Sequence, residues 1–178
     1  RSTFKVVEAG EEYATFRLEA DEATRAVYPF DFALDIAFEV ADATLTVTAT
    51  LENKGARPLP ASFGFHPAFR WPLPGGASRA EHRLRFAEPE PSPIRRIDGT
   101  GLLTPIAHQS PVKGRNLALA DELFEEDALI FLAPESRSLR YGVPGEPGLE
   151  IGWDGLPHLG VWTKPGAPFL CVEPWQGH

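Results

Sequence analysis

The chain has 178 residues, 43% of them hydrophobic, so it is long enough to bury a core and too apolar for disorder. A net charge of −8 and a pI of about 5.1 argue against nucleic acid as a partner, which needs a basic face, and favour a neutral or weakly charged small ligand. No apolar stretch reaches the roughly 18–20 residues of a membrane span and no signal peptide is visible, so no membrane partner, a cytoplasmic location and a single domain over residues 1–178 are expected.

In chain order, the dominant hydrophobic period is two. Strands are expected at residues 3–7, 13–18 and 32–40, then at 45–52, where Leu45, Val47, Ala49 and Leu51 alternate with outward-facing threonines. Further strands are expected at 61–65, 128–132, 148–153 and 168–172. Turn chemistry separates them, as in Asn53-Lys54-Gly55, Pro74-Gly75-Gly76 and Lys164-Pro165-Gly166. Only two short helical turns are expected, at 21–25 ahead of Pro29 and at 120–125. Residues 88–111 are rich in proline and lack a period, which reads as a long surface excursion of the kind that borders a site. Eighteen prolines and sixteen glycines leave no room for long helices, and many short strands with regular turns imply an all-β sandwich or barrel.

Several chemistries lack their motifs. There is no glycine-rich dinucleotide fingerprint, no phosphate-binding P-loop, no zinc-protease helix motif and no serine nucleophile elbow. The five histidines show no spacing of two or four, so no metal is expected. The lone cysteine, Cys171, sits in an apolar run and reads as a buried thiol. His82, His108 and His158 read as surface residues.

Two segments stand apart. In Ser62-Phe63-Gly64-Phe65-His66-Pro67, strand parity puts His66 on a face with Gly64 and Ser62, leaving room for a ligand, while Phe63 and Phe65 anchor the other face. In Phe169-Leu170-Cys171-Val172-Glu173-Pro174, an apolar strand ends in a carboxylate, which is costly unless it is paired or borders a cleft. Each candidate precedes a proline, which holds it extended and places it at a strand end or edge. Spacing alone leaves open a packed histidine and a rim glutamate.

At these residues the sequence resembles the aldose 1-epimerase (galactose mutarotase) family, its LacX-like branch above all. The resemblance rests on Asn53-Lys54-Gly55 followed by Pro58-Leu59-Pro60-Ala61-Ser62-Phe63-Gly64-Phe65-His66-Pro67-Ala68-Phe69-Arg70. It rests equally on Leu159-Gly160-Val161-Trp162-Thr163-Lys164-Pro165-Gly166 running into Cys171-Val172-Glu173-Pro174-Trp175. It implies a large antiparallel β-sandwich of the supersandwich type, and a cofactor-free isomerase that interconverts α and β anomers of an aldohexose. By the same resemblance, His66 is the acid and Glu173 the base. Asp127 binds sugar hydroxyls. The family's earlier segment with a second histidine would fall before Arg1, so an N-terminally truncated domain is expected. Trp162 is a candidate sugar platform beside Trp175, and Lys164 and Arg70 are candidate ligand contacts.

The chemistry suits these residue types. A base takes the proton of the C1 hydroxyl while an acid protonates the ring oxygen, the C1–O5 bond breaks, and the ring recloses on the other face. An acid and a base on opposite sides of the sugar are expected to suffice. Imidazole, with an ordinary pKa of ~6.5, donates and recovers a proton near neutrality. A hexose-6-phosphate 1-epimerase, with Arg25 or Arg70 at the phosphate, and a non-catalytic carbohydrate-binding sandwich are the alternatives. A monomer or homodimer is expected.

Overall fold

Period-two patterning becomes antiparallel sheet throughout the computed structural model, which describes residues 2–177. The chain divides into two compact units, Arg1–Ala61 and Ser62–His178.

The first unit is a meander of β1 (Lys5–Ala9), β2 (Tyr13–Glu19), β3 (Phe32–Ala41) and β4 (Thr44–Asn53), hydrogen-bonded in that order. The long β3–β4 ladder turns through Asp42 and Ala43, with Asp42 at φ 53°, the left-handed geometry that short hairpins require and that aspartate tolerates. As the alternation predicts, the threonines of β4 are exposed and Val47 and Ala49 are half-buried, but Leu45 and Leu51 towards the strand's ends are exposed. Between β2 and β3 lies α1 (Glu22–Val27). Asp21 caps it by accepting from the Thr24 N–H at 2.7 Å while the Thr24 hydroxyl accepts from the Asp21 N–H at 2.8 Å. The helix stops ahead of Pro29, whose ring disfavours helical geometry at Tyr28.

The second unit holds two sheets. One runs β11 (Gly148–Gly152), β10 (Ser138–Gly142), β7 (Arg83–Phe86), β8 (Asn116–Ala118). The other runs β5 (Phe63–Gly64), β13 (Phe169–Gln176), β12 (His158–Trp162), β9 (Leu129–Phe131), with β6 (Ala68–Arg70) also paired to β13. Alternate residues of both sheets meet in one core. Leu84, Phe86, Leu117, Leu139 and Tyr141 from the first pack with Leu129, Phe131, Leu159, Val161, Leu170 and Val172 from the second. This is the expected sandwich of inward-facing alternate residues.

The sequence reading differs from the structure in identifiable places. Strands β6, β7, β8, β10 and β12 lie outside the expected set: all five are only three to five residues long, and Gly160 interrupts the apolar pattern of β12. Strand β13 does not end at residue 172. It continues through Pro174 to Gln176, so Glu173 lies inside a strand and not at its end. Pro174 is tolerated because its side of β13 faces the bend between β5 and β6, where its carbonyl accepts from the Phe65 N–H at 3.0 Å. The turn expected at 120–125 is a 3₁₀ helix over Asp121–Phe124. The 88–111 excursion is pinned to the core by buried Ile94 and by Glu90, whose carboxylate accepts from the Glu135 and Ser136 N–H groups.

Candidate active site

The sheet containing β13 has two unlike faces. Cross-strand partners share a face, so Leu159, Val161, Leu170 and Val172 point into the core. The opposite face carries His158, Gly160 and Trp162 from β12 and Cys171, Glu173 and Trp175 from β13. Gly64, Ala68 and Arg70 lie on that same face through their pairing with β13. His66 belongs with them, on the bend between β5 and β6.

Here His66 Nε2 stands 3.4 Å from Glu173 Oε1. The two side chains lie side by side. They differ in solvation: the His66 side chain is 64% exposed, the Glu173 side chain 22%. Burial pushes the Glu173 carboxyl above the usual carboxylate range, with a smaller upward push from Asp127 and opposition from His66 and the nearby Cys171 thiol. Glu173 Oε1 is buried and has no hydrogen-bond partner among the described residues. Gly160 lies directly across from Glu173, and a Cβ there would stand 3.6 Å from Oε2, so the missing side chain leaves the carboxylate room.

Aromatic rings wall this face. The His66 ring meets Trp162 edge-on at 6.2 Å between centroids, and Trp162 packs on Phe169 at 5.6 Å. Trp175 lies against His158 at 4.7 Å. Both tryptophans are half-buried and outside the core cluster. Phe63 and Phe65 point to the opposite side and pack on each other at 5.0 Å, half-buried instead of in the core.

An open cavity of about 600 Å³ is lined by Trp162, Asp127, Lys164 and His108, together with residues 96–99 from the excursion. Thus Asp127, Trp162 and Lys164 are brought together, and Trp162 links them to His66. Arg70 does not line this cavity; it lies across β13 opposite Phe169, exposed. Arg25, in the first unit, is paired with Asp31 at 2.7 Å.

Three features were not read from the sequence. Asp127 has φ 65°, a left-handed geometry that a non-glycine residue holds at some cost. Arg96 fixes it by donating to the Leu123, Asp127 and Ala128 carbonyls at 3.0, 2.7 and 3.2 Å. Cys171 is the buried thiol expected; it also neighbours Glu173, and burial with that neighbour pushes its pKa up to about 12. Its spacing of two from Glu173 was the available signal. His82 is not a surface residue. It is 1% exposed, with Nδ1 against the Ser78 carbonyl and Nε2 accepting from the Leu73 N–H. His108 and His158 are half-buried.

The family profile described as aldose 1-epimerase matches residues 1–134. The chain belongs to the aldose 1-epimerase family. The profile match includes His66 and Asp127 and ends before Trp162, Lys164 and Glu173. Among solved structures, a galactose mutarotase-like protein from Lactobacillus casei superposes with a TM-score of 0.84 at 25% identity, covering 98% of this chain and 61% of that one. A galactose mutarotase related enzyme from Lactobacillus acidophilus gives 0.84 at 24%, covering 98% and 59%. A galactose mutarotase-like protein from Clostridium acetobutylicum gives 0.64 at 16%, covering 98% and 56%. The fold of this epimerase-family chain is therefore galactose mutarotase-like, and the chain spans about three-fifths of the length of these structures. No curated protein matches it. Among the described residues, no helix is long and apolar enough to cross a membrane.

Proposed function

We propose that this chain carries the proton-transfer pair of an aldose 1-epimerase, with Glu173 as base and His66 as acid, acting on a hexose without a cofactor. The observation that carries the reading is the 3.4 Å contact between His66 Nε2 and Glu173 Oε1 on the face of the sheet turned away from the core. In a cyclic aldose the C1 hydroxyl and the ring oxygen are bonded to the same carbon. An acid and a base serving them must therefore sit close together, and adjacent groups suit the reaction better than groups flanking the sugar.

Glu173 takes the C1 hydroxyl proton, His66 in its protonated form gives a proton to the ring oxygen, and the C1–O5 bond breaks. Rotation about C1–C2 presents the other face of the aldehyde. Reclosure returns both protons, so the pair resets. The raised Glu173 pKa makes the carboxylate a stronger base than a solvated one, and each proton transfer of this kind contributes about 10²–10⁴-fold. The half-buried Trp162 supplies an apolar platform for the sugar's C–H face, and Asp127 and Lys164 supply polar contacts to its hydroxyls.

Polarimetry of freshly dissolved α-glucose, α-galactose and their 6-phosphates tests this. Faster decay of rotation with the unphosphorylated sugars is expected. Acceleration of the 6-phosphates alone would replace the reading with a sugar-phosphate epimerase, and binding without acceleration would replace it with a carbohydrate-binding domain.

A further inference from the structure

The same sheet face gathers a donor set that proton transfer to a sugar does not require. Cys171 and Glu173 are two apart on β13 and so project together. His66 reaches them from the bend between β5 and β6. One nitrogen, one sulfur and one carboxylate oxygen from the three side chains lie within 4.8 Å of one another. One of those carboxylate oxygens, Glu173 Oε1, is buried without a hydrogen-bond partner.

We propose that His66, Cys171 and Glu173 form a binding site for a thiophilic divalent cation, Zn²⁺ being the prototype, whose occupancy silences the acid–base pair. Zinc bonds of 2.0–2.3 Å to N, O and S put two ligands of a tetrahedral ion about 3.5 Å apart, so the donors must close by roughly 1 Å. The exposed His66 side chain can supply that movement, while the two β13 ligands are held by the sheet. A sulfur ligand selects Zn²⁺ over Mg²⁺ and Ca²⁺, which prefer all-oxygen cages. On binding, the Cys171 S–H bond breaks, an S–Zn bond forms, and the proton leaves to solvent. The metal then occupies the Glu173 lone pair and the His66 nitrogen, and three protein ligands leave a fourth position for water.

The binding test needs no sugar, so its failure and that of the epimerase reading are separable. Calorimetric titration of the metal-free chain with Zn²⁺ is expected to show one site and no heat with Mg²⁺. Co²⁺ in its place is expected to give a thiolate-to-metal charge-transfer band in the near ultraviolet. Cys171→Ser is expected to remove the band, and both Cys171→Ser and His66→Asn to weaken Zn²⁺ by more than about tenfold. His66 is exposed, so His66→Asn leaves packing intact even if the cysteine variant proves unstable. A Co²⁺ complex without the thiolate band, or unchanged Zn²⁺ affinity in His66→Asn, overturns the proposal. Where the chain accelerates mutarotation, Zn²⁺ is expected to inhibit it and a chelator to restore it; full activity with Zn²⁺ bound would overturn the silencing.

Discussion

Glu173 is the residue on which chemistry and stability pull in opposite directions. Its folded pKa is raised above the unfolded value, burial being the largest cause. A raised pKa means that the fold holds the protonated form better than the charged one. The associated stability is fully present below the unfolded carboxyl pKa, about 4.3, and is lost as pH rises through the folded value. Glu173→Gln keeps the shape and removes the buried charge. Thermal unfolding followed across pH should show the variant gaining on the wild type as pH rises through that window, with the gap largest above it. A gap that shrinks as pH rises would show instead that His66 stabilises the carboxylate more than burial costs. The residue scale also marks where sequence reading stopped. His66 and Glu173 stood out through pre-proline positions and motif context, and parity correctly set His66 apart from Phe63 and Phe65. Cys171 is buried as its apolar run implies, and parity also sets it beside Glu173. Arg96 was not legible, because it bonds main-chain carbonyls 27–32 residues away and no side-chain pattern announces such partners.

At the scale of elements, two glycines shape the site for different reasons. A Cβ on Gly64 would stand 2.7 Å from the Trp175 Cβ, well inside contact distance, so the β5–β13 pairing depends on glycine there. Gly64→Ala should destabilise the fold by about 1–3 kcal/mol, the usual cost of overpacking. A Cβ on Gly160 would make only ordinary contacts with Glu173, the nearest at 3.5 Å. Gly160→Ala should therefore fold with little loss of stability and, because it adds bulk beside the carboxylate, should lower kcat/KM. Equal stability losses in the two variants, measured by denaturant unfolding, would contradict this division. Strand identity followed the same logic of contacts. The long alternating runs of β3 and β4 were readable because one strand carries its whole pattern. Strands such as β7 and β12 gain their stability from neighbours on both sides, which a linear reading does not reveal.

Over the whole molecule, the buried apolar cluster belongs to Ser62–His178, and that unit also carries the candidate site. One sheet serves both: its inner face is leucine, valine and phenylalanine, its outer face histidine, glutamate and tryptophan. Packing the inner face fixes the strands, and the fixed strands hold Glu173 and Trp162 on the outer one. The all-β class was legible from period and turn chemistry, and antiparallel pairing only through the family resemblance. The meeting of Asp127, Trp162 and Lys164 was not, since it depends on how the 96–108 segment and the Lys164 turn close about a cavity. The central claim is that His66 and Glu173 transfer the protons of ring opening. The most direct test is the polarimetric rate of α-galactose mutarotation at fixed protein concentration for wild type, His66→Asn and Glu173→Gln. The account predicts a loss of about 10²-fold or more in each variant with the fold retained; wild-type rates in either would contradict it.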